Sequence, residues 1–154
     1  MKPFASNFNL NCWNRVNETK LIHRRLIDAA GLPAVLATGW DIFELIATIA
    51  SASASDSADM YPAFTFARGA AVSGRNAIAF APSMPPLSGG ARYELPKPAG
   101  DADEIADDLA GLAVALSARL RESAELAADA ADRSACENAA CDAERIAWLL
   151  ARGT

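Results

Sequence analysis

Apolar residues recur at helical spacing along most of this chain, most clearly from Asp101 to Thr154, where an alanine-rich stretch carries leucines and no proline. Ile105, Leu109, Leu112, Leu116, Leu120, Ser123 and Ala127 follow one another at intervals of three or four. That makes a narrow seam suited to packing against a second helix. Asp101 with Glu104 has the capping-box spacing that opens such a helix. Past Ala131, Cys136, Ala139, Ala140, Ala143, Ile146, Ala147 and Leu150 form a returning face, with Ser134 and Glu137 as a restart signal and Gly153 as a stop. The pattern predicts an antiparallel helical hairpin.

Upstream, residues 14–30 read as a helix with Val16, Thr19, Ile22, His23, Leu26, Ile27 and Ala30 on one face, stopped by Gly31 and Pro33. A second helix is expected from Asp41, capped by its own carboxylate with Glu44 as the reciprocal partner. Ile42, Leu45, Ile46 and Ile49 are its buried stripe, and it should fade in the serines of residues 51–55. The stretch from Asp59 to Ala81 has two readings. As a helix it starts with Asp59 as cap and Pro62 in the first turn, and ends at Gly74. As a β-hairpin over residues 63–81, Phe64-Thr65-Phe66 pairs with Ile78-Ala79-Phe80. Its alanines favour the helix.

Residues 82–100 hold five prolines and Gly89-Gly90, which excludes a helix. At about 18 residues this is longer than a usual connection. Met84, Leu87, Tyr93 and Leu95 give it apolar anchors, so it is expected to lie as an ordered strap across the body. The predicted architecture is a mainly α, single-domain helical bundle (residues 1–154) with a C-terminal antiparallel hairpin and a proline-rich crossover. The alternative is an α+β fold with the hairpin at 63–81.

Composition changes this picture little. With 154 residues, 52% hydrophobic and 21% charged, the chain can bury about 68–70% of its unfolded surface in one core. No run of about 18 apolar residues stands out as a bilayer span, nothing marks the start for export, and a cytoplasmic location is the expectation. Charge is unevenly placed: residues 1–100 carry nine Lys and Arg against seven Asp and Glu, a balance of +2, while residues 101–154 carry five against twelve, −7, within the net −5. An acidic half of this kind repels a phosphate backbone, so nucleic acid is not an expected partner.

The candidate chemistry is sparse. Cys12, Cys136 and Cys141 are odd in number, which fits reduced thiols better than disulfides. Cys136 and Cys141 point about 140° apart around a helix, so they share no metal site. His23 is the sole histidine and lies on a predicted apolar face, where a core role is preferred to a catalytic one. The carboxylates Asp103, Asp107 and Asp108 crowd a helix start, as the macrodipole favours. No catalytic residue, metal ligand or cofactor is assigned. If a small-molecule pocket exists, it is expected between His23, Trp13, Trp40 and the strap. Trp148 lies roughly 160° from the centre of the returning face, together with Cys141 and near Leu149. Either the strap or another chain should cover these three. The sequence therefore points first to a non-enzymatic interaction or accessory protein that pairs with a protein partner or a second copy of itself. A small-molecule binder or enzyme is the alternative.

Overall fold

The computed structural model describes residues 18–87 and 100–152, which form five helices and no strand. Helix α1 is described over residues 18–28; α2 is Leu32–Ala54, α3 Tyr61–Ala79, α4 Ala102–Leu126 and α5 Ala130–Arg152. The mainly α reading holds, and the hairpin alternative at 63–81 gives way to α3. Helices α2, α3, α5 and α4 form a ring in which each packs on the next. Short connections make α2 and α3, and likewise α4 and α5, antiparallel neighbours. Ser73 of α3 bonds Asp142 of α5, and Ser83 just beyond α3 bonds Asp132 at the start of α5, so these two helices are antiparallel as well. Helices α3 and α4 are then diagonal and parallel. The end of α3 and the start of α4 therefore lie at opposite ends of the bundle, as the crossover reading requires.

One core runs through all five helices. Its large side chains come mainly from two of them: Leu36, Ile42, Phe43, Leu45, Ile46 and Ile49 from α2, and Ile105, Leu109, Leu112, Leu116 and Leu120 from α4. The inner faces of α3 and α5 are largely small, with Ala67, Ala70, Ala71 and Gly74 on the first and Ala135, Cys136, Ala139, Ala140 and Ala143 on the second. Around the ring, α2 and α4 approach each other least, because both carry bulk, whereas the small-faced helices settle close. Gly74 is where this closeness is greatest. A Cβ there would run into the fully buried ring of Phe43. At Gly39, a Cβ would meet Ile78 Cδ1 at 3.0 Å and Leu116 Cδ1 at 3.3 Å.

Several boundaries differ from the sequence expectation. The second helix begins at Leu32, nine residues before Asp41. Pro33 is a first-turn residue of that helix as well as a stop for the one before, and Gly31 makes the corner at φ 86°. Asp41 and Glu44, freed from any capping role, pair with Arg25 and Arg75. In α3, Pro62 sits in the first turn as expected, yet Asp59 does not cap it. The Met60 N–H donates instead to Ser57 Oγ at 3.3 Å. Gly74 does not end that helix but lies buried inside it. Asp101 does cap α4, accepting from the Asp103 N–H at 3.4 Å, and the whole predicted leucine seam is buried. Helix α5 starts at Ala130, because Asp129, rather than Ser134, accepts from the Ala131 and Asp132 N–H groups and makes the cap five residues earlier. Of the strap, Met84 packs on the core and Leu87 is 56% exposed; Tyr93 and Leu95, like residues 14–17 and Gly153, lie outside the described residues.

Against expectation, α2 is long and apolar enough to cross a membrane by length and composition, with 23 residues and a mean hydropathy of 1.4 in its best window. That window is 50% buried inside the bundle. Within the bundle α2 packs on α3 and α4, and Arg25–Asp41 ties it to α1.

The contact at Gly74 predicts its own test. Gly74→Ala should destabilise the fold by about 1–3 kcal/mol, since the Phe43 ring has no room to yield. Gly69→Ala, in open space on the outer face of the same helix, should stabilise it by about 0.5–1 kcal/mol. Urea unfolding of both variants reads the two signs, and equal effects would refute the packing.

Candidate functional site

Trp148 projects from α5 and is 55% exposed; Cys141 is also exposed and Leu149 is partly buried. This follows from the helix period, since burying Ile146 and Leu150 turns position 148 outward. Neighbouring groups tie this face to α4. Arg121 Nε donates to Glu144 Oε1 at 2.6 Å, Ser117 Oγ donates to the same oxygen at 3.1 Å, and Arg121 Nη2 lies 3.8 Å from Cys141 Sγ. These pairs fix the register of the antiparallel hairpin: seven residues beyond Cys141 and seven before Arg121, Trp148 comes level with Val114. Val114 is itself 59% exposed. The exposed Gly111 and Ala118 flank it on α4, so an apolar surface spans both helices beside the Arg121–Glu144 pair.

Arg121 and Ser117 hold the Glu144 carboxyl below its ordinary value, chiefly through the Arg121 hydrogen bond. The stabilisation this gives is present at neutral pH and lost as acid protonates the carboxylate. With both side chains about half exposed, it is small.

Of the residues expected around a pocket, His23 and Trp40 fall within the described part of the chain. His23 is exposed, because α1 buries Ile22 and Leu26, with Ala29 just past its end, and position 23 turns away from that face. Trp40 is partly buried on α2 beneath the Arg75 guanidinium, 6.0 Å from its ring centroid, and Arg75 also pairs with Glu44. Trp13 lies outside the described residues. A groove of about 490 Å³ exists elsewhere, at the end of the bundle where α2 begins and α4 ends. Leu32, Val35 and Leu126 line it together with Ser83, Arg119 and Asp132.

Ser83, Asp132 and Arg119 of this groove are engaged in holding the fold. The Ser83 N–H donates to Asp132 Oδ1 at 2.9 Å and its hydroxyl to Oδ2 at 2.6 Å. Arg119 donates to Glu122 at 3.0 Å and to the Ala29 carbonyl at 2.7 Å, pinning the end of α1 to α4. Sequence reasoning passed over Asp132, which is 3% exposed, and Asp142, which accepts from Ser73 at 2.9 Å. Both sit among ordinary helical acids, and only the third dimension supplies their serines. No group of three or more His, Cys, Asp or Glu among the described residues could hold a metal ion.

Comparison of the chain with protein-family models, with curated proteins and with solved structures returns no match. The class is therefore defined by the fold alone: an all-helical bundle built around an antiparallel hairpin.

The two thiols should behave oppositely. Cys136 is buried, and burial, with Asp132 and Glu137 adding negative charge, pushes its pKa up to about 11. Iodoacetamide at pH 8 followed by peptide mass spectrometry should label Cys141 and leave Cys136 unmodified until the chain unfolds. Because the folded-state value is the higher one, this thiol lowers stability only as pH rises above the ordinary thiol value of 9.0 toward 11. Asp132→Ala, which strands both Ser83 donors, should cost about 1–3 kcal/mol in denaturant melts. A neutral result would show that the Ser83 clamp is not formed.

Proposed function

We propose that this protein is a non-enzymatic helical interaction or accessory protein that associates with a second copy of itself through the outer face of the α4–α5 hairpin. The observation that carries this reading is the exposure of Trp148 and Val114 at the same level on two adjoining, well-formed helices. Large aromatics presented on a rigid face, beside apolar neighbours, are characteristic of contact surfaces, and tryptophan is enriched among residues that dominate interface energy. The free thiols of Cys136 and Cys141 fit work in a reducing compartment such as the cytoplasm. The small-molecule alternative has less support. His23 is not among the residues lining the groove, and the groove's charged groups are satisfied by bonds that hold helices together.

Sedimentation equilibrium tests the proposal. The parent protein should show a reversible concentration-dependent association, and Trp148→Ala should weaken it about tenfold or more while melting like the parent. A parent that stays monomeric, or a variant that associates equally well, would contradict it.

A further inference from the structure

The outward side of α4 carries a second regular seam, opposite its buried leucines. Asp107, Gly111, Val114, Ala118 and Arg121 recur at intervals of four and three, and all five are exposed. At 100° per residue they lie within about 40° of a single line along the helix. This is the spacing by which two helices share a seam over several turns.

The composition of the seam suits a particular partner. Its middle is small or apolar, and small residues let two backbones come close. Its ends are oppositely charged, and the sequence is balanced about Val114: Asp107 stands seven residues before it and Arg121 seven after. An identical α4 laid antiparallel across a two-fold axis at Val114 sets each Asp107 against the second copy's Arg121. It also brings each Gly111 to within one residue, about 1.5 Å along the helix, of the level of the second copy's Ala118. A parallel arrangement sets Asp107 against Asp107 and Arg121 against Arg121, which like-charge repulsion disfavours. Arg121 already donates through Nε to Glu144 and through Nη2 toward Cys141, and among the described residues its Nη1 makes no bond that would keep it from a carboxylate across the axis. At the rim, Glu104 falls near the second copy's Glu125, an exposed like-charge contact that salt screens.

We infer that the protein forms an antiparallel, two-fold homodimer along α4, with Val114 on the axis and an Asp107–Arg121 pair closing each end. This rests on the proposal that the α4–α5 face is a self-contact surface and fixes its geometry. Trp148, level with Val114, flanks the axis on each side. The interface is isologous, so it closes at two copies.

A charge exchange in the full-length chain tests this. Asp107→Arg should weaken the dimer about tenfold in sedimentation equilibrium, since it turns two attractions into two repulsions. Adding Arg121→Asp should restore most of the association. As a second readout, Val114→Cys in a background of Cys12→Ser and Cys141→Ser should give a disulfide-linked dimer on mild oxidation. A double variant that associates no better than Asp107→Arg, or a Val114→Cys chain that stays unlinked while it still sediments as a dimer, would overturn the antiparallel arrangement. If Trp148→Ala then still disrupts the parent dimer, self-contact stands and only its geometry falls. A parent that is monomeric throughout overturns both.

Discussion

The ring of Phe43 lies directly on the backbone of α3 at Gly74, and the rest of the bundle is arranged around that closeness. Two helices carry the bulk and two carry the hollows. Leucine, isoleucine and phenylalanine from α2 and α4 fill the centre, while glycine and alanine on α3 and α5 let those helices close over it. Interiors are packed near crystal density, so a large face needs a small one opposite. The same rule acts at Gly39, where Ile78 and Leu116 come from two different helices to rest on α2.

Small inner faces bury less apolar surface per residue, and polar bonds tie α5 in place where bulk does not. Asp142 accepts from Ser73, Asp132 takes both donors of Ser83, and Glu144 receives Arg121 and Ser117. The first two join α5 to α3 and the residues just beyond it, and the third joins it to α4, so the helix is held at both its α3 and its α4 edges. A rigid α5 then displays Trp148 in a fixed direction, level with Val114. The functional proposal depends on this chain of causes: small residues inside permit close packing, close packing sets the register, and the register assembles an apolar surface outside.

Much of this was legible in the sequence where period alone decides. The α4 leucine seam is buried as its spacing requires, the returning α5 face is buried but for the partly buried Ala147, and Trp148 and Cys141 turn outward for the same reason. The errors arose where one local signal has two meanings. Pro33 closes one helix and opens another, so α2 was read as starting at Asp41. Gly74 resembles a terminator, and only the approach of Phe43 explains a glycine there. Asp129 and Ser134 both suit a helix cap, and the nearer one was taken by the fold. His23 was placed on the apolar face by counting, but Ile27 on that same assigned face is 66% exposed. The buried stripe of α1 is therefore narrower than counting assumed. Asp132 and Asp142 find their serines 49 and 69 residues away, a distance across which sequence pattern carries no information.

A double-mutant cycle between Phe43→Leu and Gly74→Ala tests the central packing claim most directly. If the buried ring is what excludes a Cβ at position 74, the smaller leucine side chain makes room for it. Gly74→Ala should then cost at least about 1 kcal/mol less in the Phe43→Leu background than in the parent, a coupling within the range expected for residues in contact. Equal costs in the two backgrounds would show that the two sites do not touch, and would contradict the account of how this bundle closes.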